Sequence, residues 1–300
     1  MSFFYSKKKN VRKMSFMLLA VMITLFIAGC GGSENKSESG KTTLQKAQEK
    51  GSVTIGFANE KPYAYQTADG ELTGEAVEVA RAVLKNLGIS EMEGMLTEFG
   101  SLIPGLQAKR FDMVTAGMFI TPERAKDVRF ANPEYSIGEA IAVNAGNPLD
   151  LHSYEDIAAH ETATVAVPGG AIEYDYLIAV GMQKERIVTV PDMPSALAAL
   201  EAGRVDVITA TGPSLQNTLD TADSPDFERV TDFEQPVIDG ESVRGYGATA
   251  FRNEDTDFVE AFNAELKKLQ DSGELLEIIQ NFGFTEEELP GDVTLEEVIK

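Results

Sequence analysis

From Leu44 onward, apolar runs of strand length alternate with segments whose apolar residues recur every three or four positions. Residues 52–58 (SVTIGFA) are the pattern of a buried strand, and residues 73–88 (TGEAVEVARAVLKNLG) that of an amphipathic helix ending at Gly88. Residues 92–99 (MEGMLTEF) and 111–117 (FDMVTAG) predict two more strands, with a short helix in SLIPGLQAKR between them. TPERAKDVRF opens a further helix, with Thr121 as N-cap and Pro122 at the first position. Apolar β runs separated by helices predict an open, largely parallel sheet.

The cycle then restarts. TATVAVPGGAIEYDYLIAVG predicts strand, glycine turn and helix, and SALAALEAGRVDVITATGP predicts helix, strand and loop. Two extended apolar segments flank this second set, EAIAVNAG (139–146) and YGATAFR (246–252). They are expected to pair as crossovers between two lobes, because the helical sequence after Arg252 has to pack back on the first lobe. The expected architecture is therefore α/β with two lobes, each a mainly parallel sheet flanked by helices, joined by a two-strand hinge. Residues 44–143 and 246–300 would form a discontinuous first lobe, and residues 144–245 an inserted second one.

The N-terminus has a different pattern. MSFFYSKKKNVRK is basic, and SFMLLAVMITLFIAG runs apolar up to Cys30, as in a secretory signal peptide. The run is marginal for a membrane span, which needs ~20 residues. Ile27-Ala28-Gly29-Cys30 resembles the bacterial lipobox, which implies removal of residues 1–29 and a lipid on the Cys30 sulfur. Residues 30–43 then read as a polar tether. The alternative is an uncleaved anchor with an incidental thiol. Cys30 is the sole cysteine, so no internal disulfide is available.

At 300 residues and 43% hydrophobic, the chain can bury a core and suggests roughly two domains. The whole chain carries a net charge of −22; residues 1–29 hold five Lys/Arg and no Asp/Glu, so the remainder stands at −27. Such a surface repels nucleic acid and anionic headgroups, and neither is an expected partner. Neither His152 nor His160 falls near a plausible site, and no cluster has metal-ligand spacing. No cofactor or metal is expected.

Over residues 45–285, LTGEAVEVARAVLKNLG, FGSLIPGLQAKRFDMVTAGMFITPERAKDVRFANPEY, ALEAGRVDVI and YGATAFRNEDTDFVEAFNAEL occur in that order. In this the chain resembles type II periplasmic binding proteins of the polar amino-acid family, the partners of ABC importers. Within that family the likeness is greatest to ectoine/5-hydroxyectoine-binding proteins, carried by Glu60 and Tyr63 in GFANEKPYAY, Phe99 in EFGSLIP, and Phe119 with Arg124 in MFITPER. Two departures from amino-acid binders stand out. Phe119 replaces a small hydroxyl residue, and Thr211 replaces the aspartate that usually meets an α-ammonium.

The residues themselves suggest the chemistry. Arg124, in the first turn of its helix, has a planar guanidinium suited to a carboxylate, and free helix N–H groups would add to the attraction; otherwise it pairs with Glu123 or Asp127. Glu60, beside Tyr63 and Tyr65, calls for a cationic partner, which a ligand could supply; otherwise it is a solvated loop acid beside Lys61. Tyr63, Phe99 and Phe119 follow strand ends and offer ring faces to a delocalised cation; otherwise they are core. Gly169 and Gly170 would present main-chain N–H groups with Thr211, or form only a turn.

The resulting expectation is a monomeric, non-enzymatic, lipid-anchored binding protein on the extracytoplasmic face, handing ectoine or hydroxyectoine to ABC permease subunits for osmoprotection. A polar or basic amino-acid binder is one alternative. A cyclic-acid dehydratase with Glu60 as general acid is another.

Overall fold

A computed structural model describes residues 40–238 and 241–300. Cys30 and the expected signal peptide lie outside the described residues. The chain is described from a helix, Thr43–Lys50, whose N-cap Thr42 forms a capping box with Gln45. This helix takes in the last residue of the expected tether.

Five strands make the first sheet, in the order Glu91–Leu96, Ser52–Phe57, Met113–Val114, Ala250–Phe251, Arg129–Phe130. Ser52–Phe57 pairs in parallel with both neighbours and is buried at all but one position, as its continuous apolar run requires. The helix Glu75–Asn86 lays Val77, Val79, Ala80, Val83 and Leu84 against the core. It gives way at Gly88, whose φ is +82°.

The second sheet runs Ile187–Val190, Val165–Pro168, Val207–Thr211, Glu139–Asn144, Phe227–Arg229. In each sheet four strands share a direction and one runs against them: Ala250–Phe251 in the first, Glu139–Asn144 in the second. Glu139–Asn144 is where the chain enters the second sheet, and Ala250–Phe251 is where it returns to the first.

The crossing differs from the expected pairing of 139–146 with 246–252. The strand that pairs with Gly245–Gly247 is Tyr135–Ile137, antiparallel, with Tyr246 opposite Ser136. Residues 139–144 are instead an interior strand of the second sheet, which their uninterrupted burial from Glu139 to Val143 reflects. The segment after Thr211 also differs: TGP opens a helix, Gly212–Ala222, in place of a loop. Proline in a first turn costs a helix nothing, because its missing N–H is one that no carbonyl would have met. After Arg252 the chain packs back on the first lobe through Thr256–Ser272 and Glu274–Gln280, which bury Phe258, Phe262, Leu266 and Ile279.

Candidate functional site

Strands Ser52–Phe57, Glu91–Leu96 and Met113–Val114 of the first sheet, and Val165–Pro168 and Val207–Thr211 of the second, direct the loops at their C-terminal ends toward one cleft. Glu60, Tyr63, Phe99, Phe119 and Arg124 line a cavity of about 40 Å³ there together with Thr211, Pro168, Ile172 and Glu173. Three hydrogen bonds join the two sides. The Tyr63 and Thr211 hydroxyls are 2.7 Å apart, Ser214 Oγ donates to Glu60 Oε1 at 2.6 Å, and Arg124 Nη2 donates to the Gly170 carbonyl at 2.9 Å.

Arg124 stands in a helix of a single turn, Arg124–Asp127. Its own amide donates to Thr121 Oγ1 at 3.1 Å, but the helix starts later than anticipated, with Glu123 and not Thr121 at the N-cap and Pro122 in the turn before it. The same bond removes that amide as an anion donor, and what remains for an anion is the guanidinium. Its Nη1 donates to the Phe119 carbonyl at 2.8 Å, and its Cζ lies 5.5 Å from the centre of the Phe99 ring. Glu123 pairs with Lys126 instead, and among the described residues no carboxylate oxygen lies within 4.0 Å of the Arg124 guanidinium. Burial draws the Arg124 pKa down, and the charge of Glu173 opposes that shift.

Glu60 is half-buried, its backbone fixed by paired hydrogen bonds with Ala64 at 2.9 and 3.0 Å. Desolvation pushes its carboxyl up to about 7; the Ser214 hydrogen bond works against that shift and the charge of Glu173 adds to it. Glu173 is 4% exposed and lines the same cavity. It lies close to Glu139, which is 3% exposed and whose carboxyl oxygens have no hydrogen-bond partner; burial raises both carboxyls.

Sequence reasoning missed Glu173, Glu139 and Ser214. An acid in the first turn of a helix is the commonest of surface choices, and nothing in AIEYDY marks Glu173 as buried. The one usable signal was its place four residues beyond Gly169, just past a strand end.

Two of the three aromatic residues are core and line the cavity as well. Tyr63 and Phe119 belong to the main core, where Tyr135 stacks on Tyr63 at 5.3 Å and meets Phe119 at 6.3 Å. Both also face the cavity. Gly117, at φ +63°, lets the backbone pass Tyr63: a Cβ there would stand 2.4 Å from the ring. Phe99 is half-buried at the mouth. Gly169 and Gly170 lie outside the cavity wall. The Gly169 amide is taken by the Val190 carbonyl at 2.9 Å, and Gly170 contributes a carbonyl to Arg124, so the turn supplies an acceptor where N–H donors were anticipated. Among the described residues no group of three or more His, Cys, Asp or Glu is placed to hold a metal ion, and no helix is long and apolar enough to cross a membrane.

Two α/β lobes meeting over a cleft at their strand ends define a type II periplasmic binding protein fold. The chain belongs to the bacterial extracellular solute-binding proteins, family 3, which match residues 53–286. It is 37% identical over 253 residues to the probable amino-acid ABC transporter periplasmic-binding protein y4tE of Sinorhizobium fredii (strain NBRC 101917 / NGR234), covering 84% of this chain and 83% of the relative. It is 29% identical over 272 residues to the arginine-binding extracellular protein ArtP of Bacillus subtilis (strain 168), covering 88% and 95%. Among solved structures it is similar to EhuB in complex with hydroxyectoine, with a TM-score of 0.79 and 35% identity over 86% of this chain and 98% of EhuB. It is also similar to an ancestral arginine-binding protein bound to arginine, with a TM-score of 0.67 and 26% identity over 77% and 98%.

Proposed function

We propose that this chain is the substrate-binding component of an ABC importer and that it captures a small zwitterionic compatible solute of the ectoine and hydroxyectoine class. The observation that carries the reading is the meeting in one aromatic-walled cavity of a guanidinium without a carboxylate partner, Arg124, and a carboxyl without a cationic one, Glu60. Two of the five Arg124 N–H groups are committed to carbonyls, which leaves three for a ligand carboxylate. Glu60 and Glu173 take the opposite charge, and the rings of Tyr63, Phe99 and Phe119 suit a flat, delocalised cation. Thr211 is engaged by Tyr63, in keeping with a ligand that has no α-ammonium to place there. The likeness to EhuB supports the same ligand class.

Glu173 also favours a second reading. A basic amino acid has two cationic centres, and two carboxyls, Glu60 and Glu173, line the cavity. The likeness to ArtP points the same way. Thermal melting of the purified protein separates the two: ectoine and hydroxyectoine raise the melting temperature by mass action, while arginine, glutamine and cystine leave it nearly unmoved. A larger shift with arginine overturns the ectoine reading and leaves the family intact. The protein acts as a binder, so a cyclic acid incubated with it is recovered unchanged; loss of water from that acid would establish the dehydratase reading instead. On this reading the protein works as a monomer on the extracytoplasmic face, anchored through lipid on Cys30. Cys30→Ala abolishes lipid labelling in the native host, and an unlabelled wild type contradicts the anchor.

A further inference from the structure

The cavity that holds Arg124 does not end at Glu60. A second chamber of about 220 Å³ adjoins it and shares Glu60, Phe99 and Pro168 as walls. Its far side is apolar: Tyr65 from the first lobe faces Pro191, Met193, Pro194 and Leu197 of the second.

Most of the polar groups around the chamber are already spent. Along the helix Gly212–Ala222, Asn217, Thr218 and Thr221 donate back to the carbonyls of Pro213, Ser214 and Asn217 at 3.2, 2.9 and 2.8 Å. Asp192 caps the Ser195 amide at 2.8 Å, Asn59 accepts from the Gln66 amide at 3.0 Å, and the Lys61 ammonium sits 5.2 Å over the Tyr65 ring. The chamber therefore offers mainly hydrocarbon contact and, at its inner end, the Glu60 carboxylate, of which Oε1 alone is engaged, by Ser214.

We infer that the outer chamber is a specificity site for a hydrocarbon arm carried on the cationic group of the ligand. The cation rests on Glu60, the carboxylate on Arg124, and the arm passes outward over Phe99 to lie against Leu197, Met193 and Pro194. The natural ligand class then extends from compact zwitterions to N-alkylated ones. This rests on the assignment of Arg124 and Glu60 to the two ends of a zwitterion.

The test is calorimetric titration of the full chain with ectoine and with a series of N-alkyl ectoines from methyl to butyl. Each added methylene should raise affinity by about fourfold while the arm remains within the chamber, from the free energy of burying one CH₂. Leu197→Trp, which fills the chamber from a position outside the inner cavity, should abolish that gain and leave ectoine binding at the wild-type level; Thr218→Trp should do the same from the neighbouring helix Gly212–Ala222. Retained ectoine binding reports that each variant is folded. N-alkyl ectoines that bind the wild type more weakly than ectoine, or a gain that survives both variants, overturn the inference while the inner site stands. If ectoine itself does not bind the wild type, the assignment of the inner site fails and the chamber's role falls with it.

Discussion

The Tyr63 hydroxyl lies 2.7 Å from the Thr211 hydroxyl, and both residues are more than nine-tenths buried. Tyr63 follows the first strand of one sheet and Thr211 ends a strand of the other, so this bond is made only when the lobes meet. A net hydrogen bond contributes about 0.5 to 1.5 kcal/mol. Tyr63→Phe and Thr211→Val should each weaken ligand binding by roughly two- to tenfold, and the double variant should be hardly worse than either single one. Calorimetric affinities arranged as a double-mutant cycle measure that coupling. Additive losses would mean that the bond plays no part in closure.

Closure also brings backbone against backbone. A Cβ on Gly100 would stand 3.0 Å from the Gly169 carbonyl oxygen, across the cleft mouth. Gly100→Ala needs no unusual φ, so its effect should fall on closure and not on the fold. Affinity is expected to drop by roughly five- to thirtyfold, in the lower part of the ~1–3 kcal/mol cost of overpacking. The melting temperature without ligand should hold. A fall in that temperature with affinity unchanged would contradict the contact.

Binding should be linked to protons. Glu60 sits at about 7, and a ligand cation favours its ionised form, so binding below that pH releases a proton. Affinity should rise with pH up to about 7 and level off above it. Glu173, also raised by burial, acts in the same direction. Stability without ligand runs the opposite way. Between the ordinary 4.5 and about 7 the folded protein holds this proton while the unfolded chain has lost it, so the Glu60 contribution to stability falls as pH rises through that window. Calorimetry at pH 6 in buffers of unlike ionisation heat should report release approaching one proton, and Glu60→Gln should remove most of it.

Much of this site was legible in the sequence because ligand positions in an open α/β sheet follow strand ends, and strand ends are marked by where apolar runs stop. Glu60, Phe99, Phe119 and Arg124 stand beyond such stops and Thr211 at one, and all five line one cavity. What stayed hidden depends on packing between distant segments. Tyr135 and Phe284 wedge Tyr63 in place, yet neither has a local signal tying it to position 63. Glu139 and Glu173 come together buried from two separate elements, and a lone glutamate in sequence reads as solvated. The crossing strands were misplaced for a similar reason: Tyr135–Ile137 is too short to show a period, while the longer apolar run beside it at 139–144 drew the assignment.

The division of charge between Arg124 and Glu60 is the centre of the account, and one titration tests it most directly. Ectoine is titrated calorimetrically into the wild type, Arg124→Ala, and Glu123→Ala as a control, since Glu123 is exposed and engaged only with Lys126. Removing one partner of a buried charge pair costs roughly 2 to 5 kcal/mol. Arg124→Ala should therefore lose at least ~30-fold in affinity, at about tenfold per 1.4 kcal/mol. Glu123→Ala should bind as the wild type does. Ectoine binding by Arg124→Ala at the strength of that control would contradict the assignment of the site.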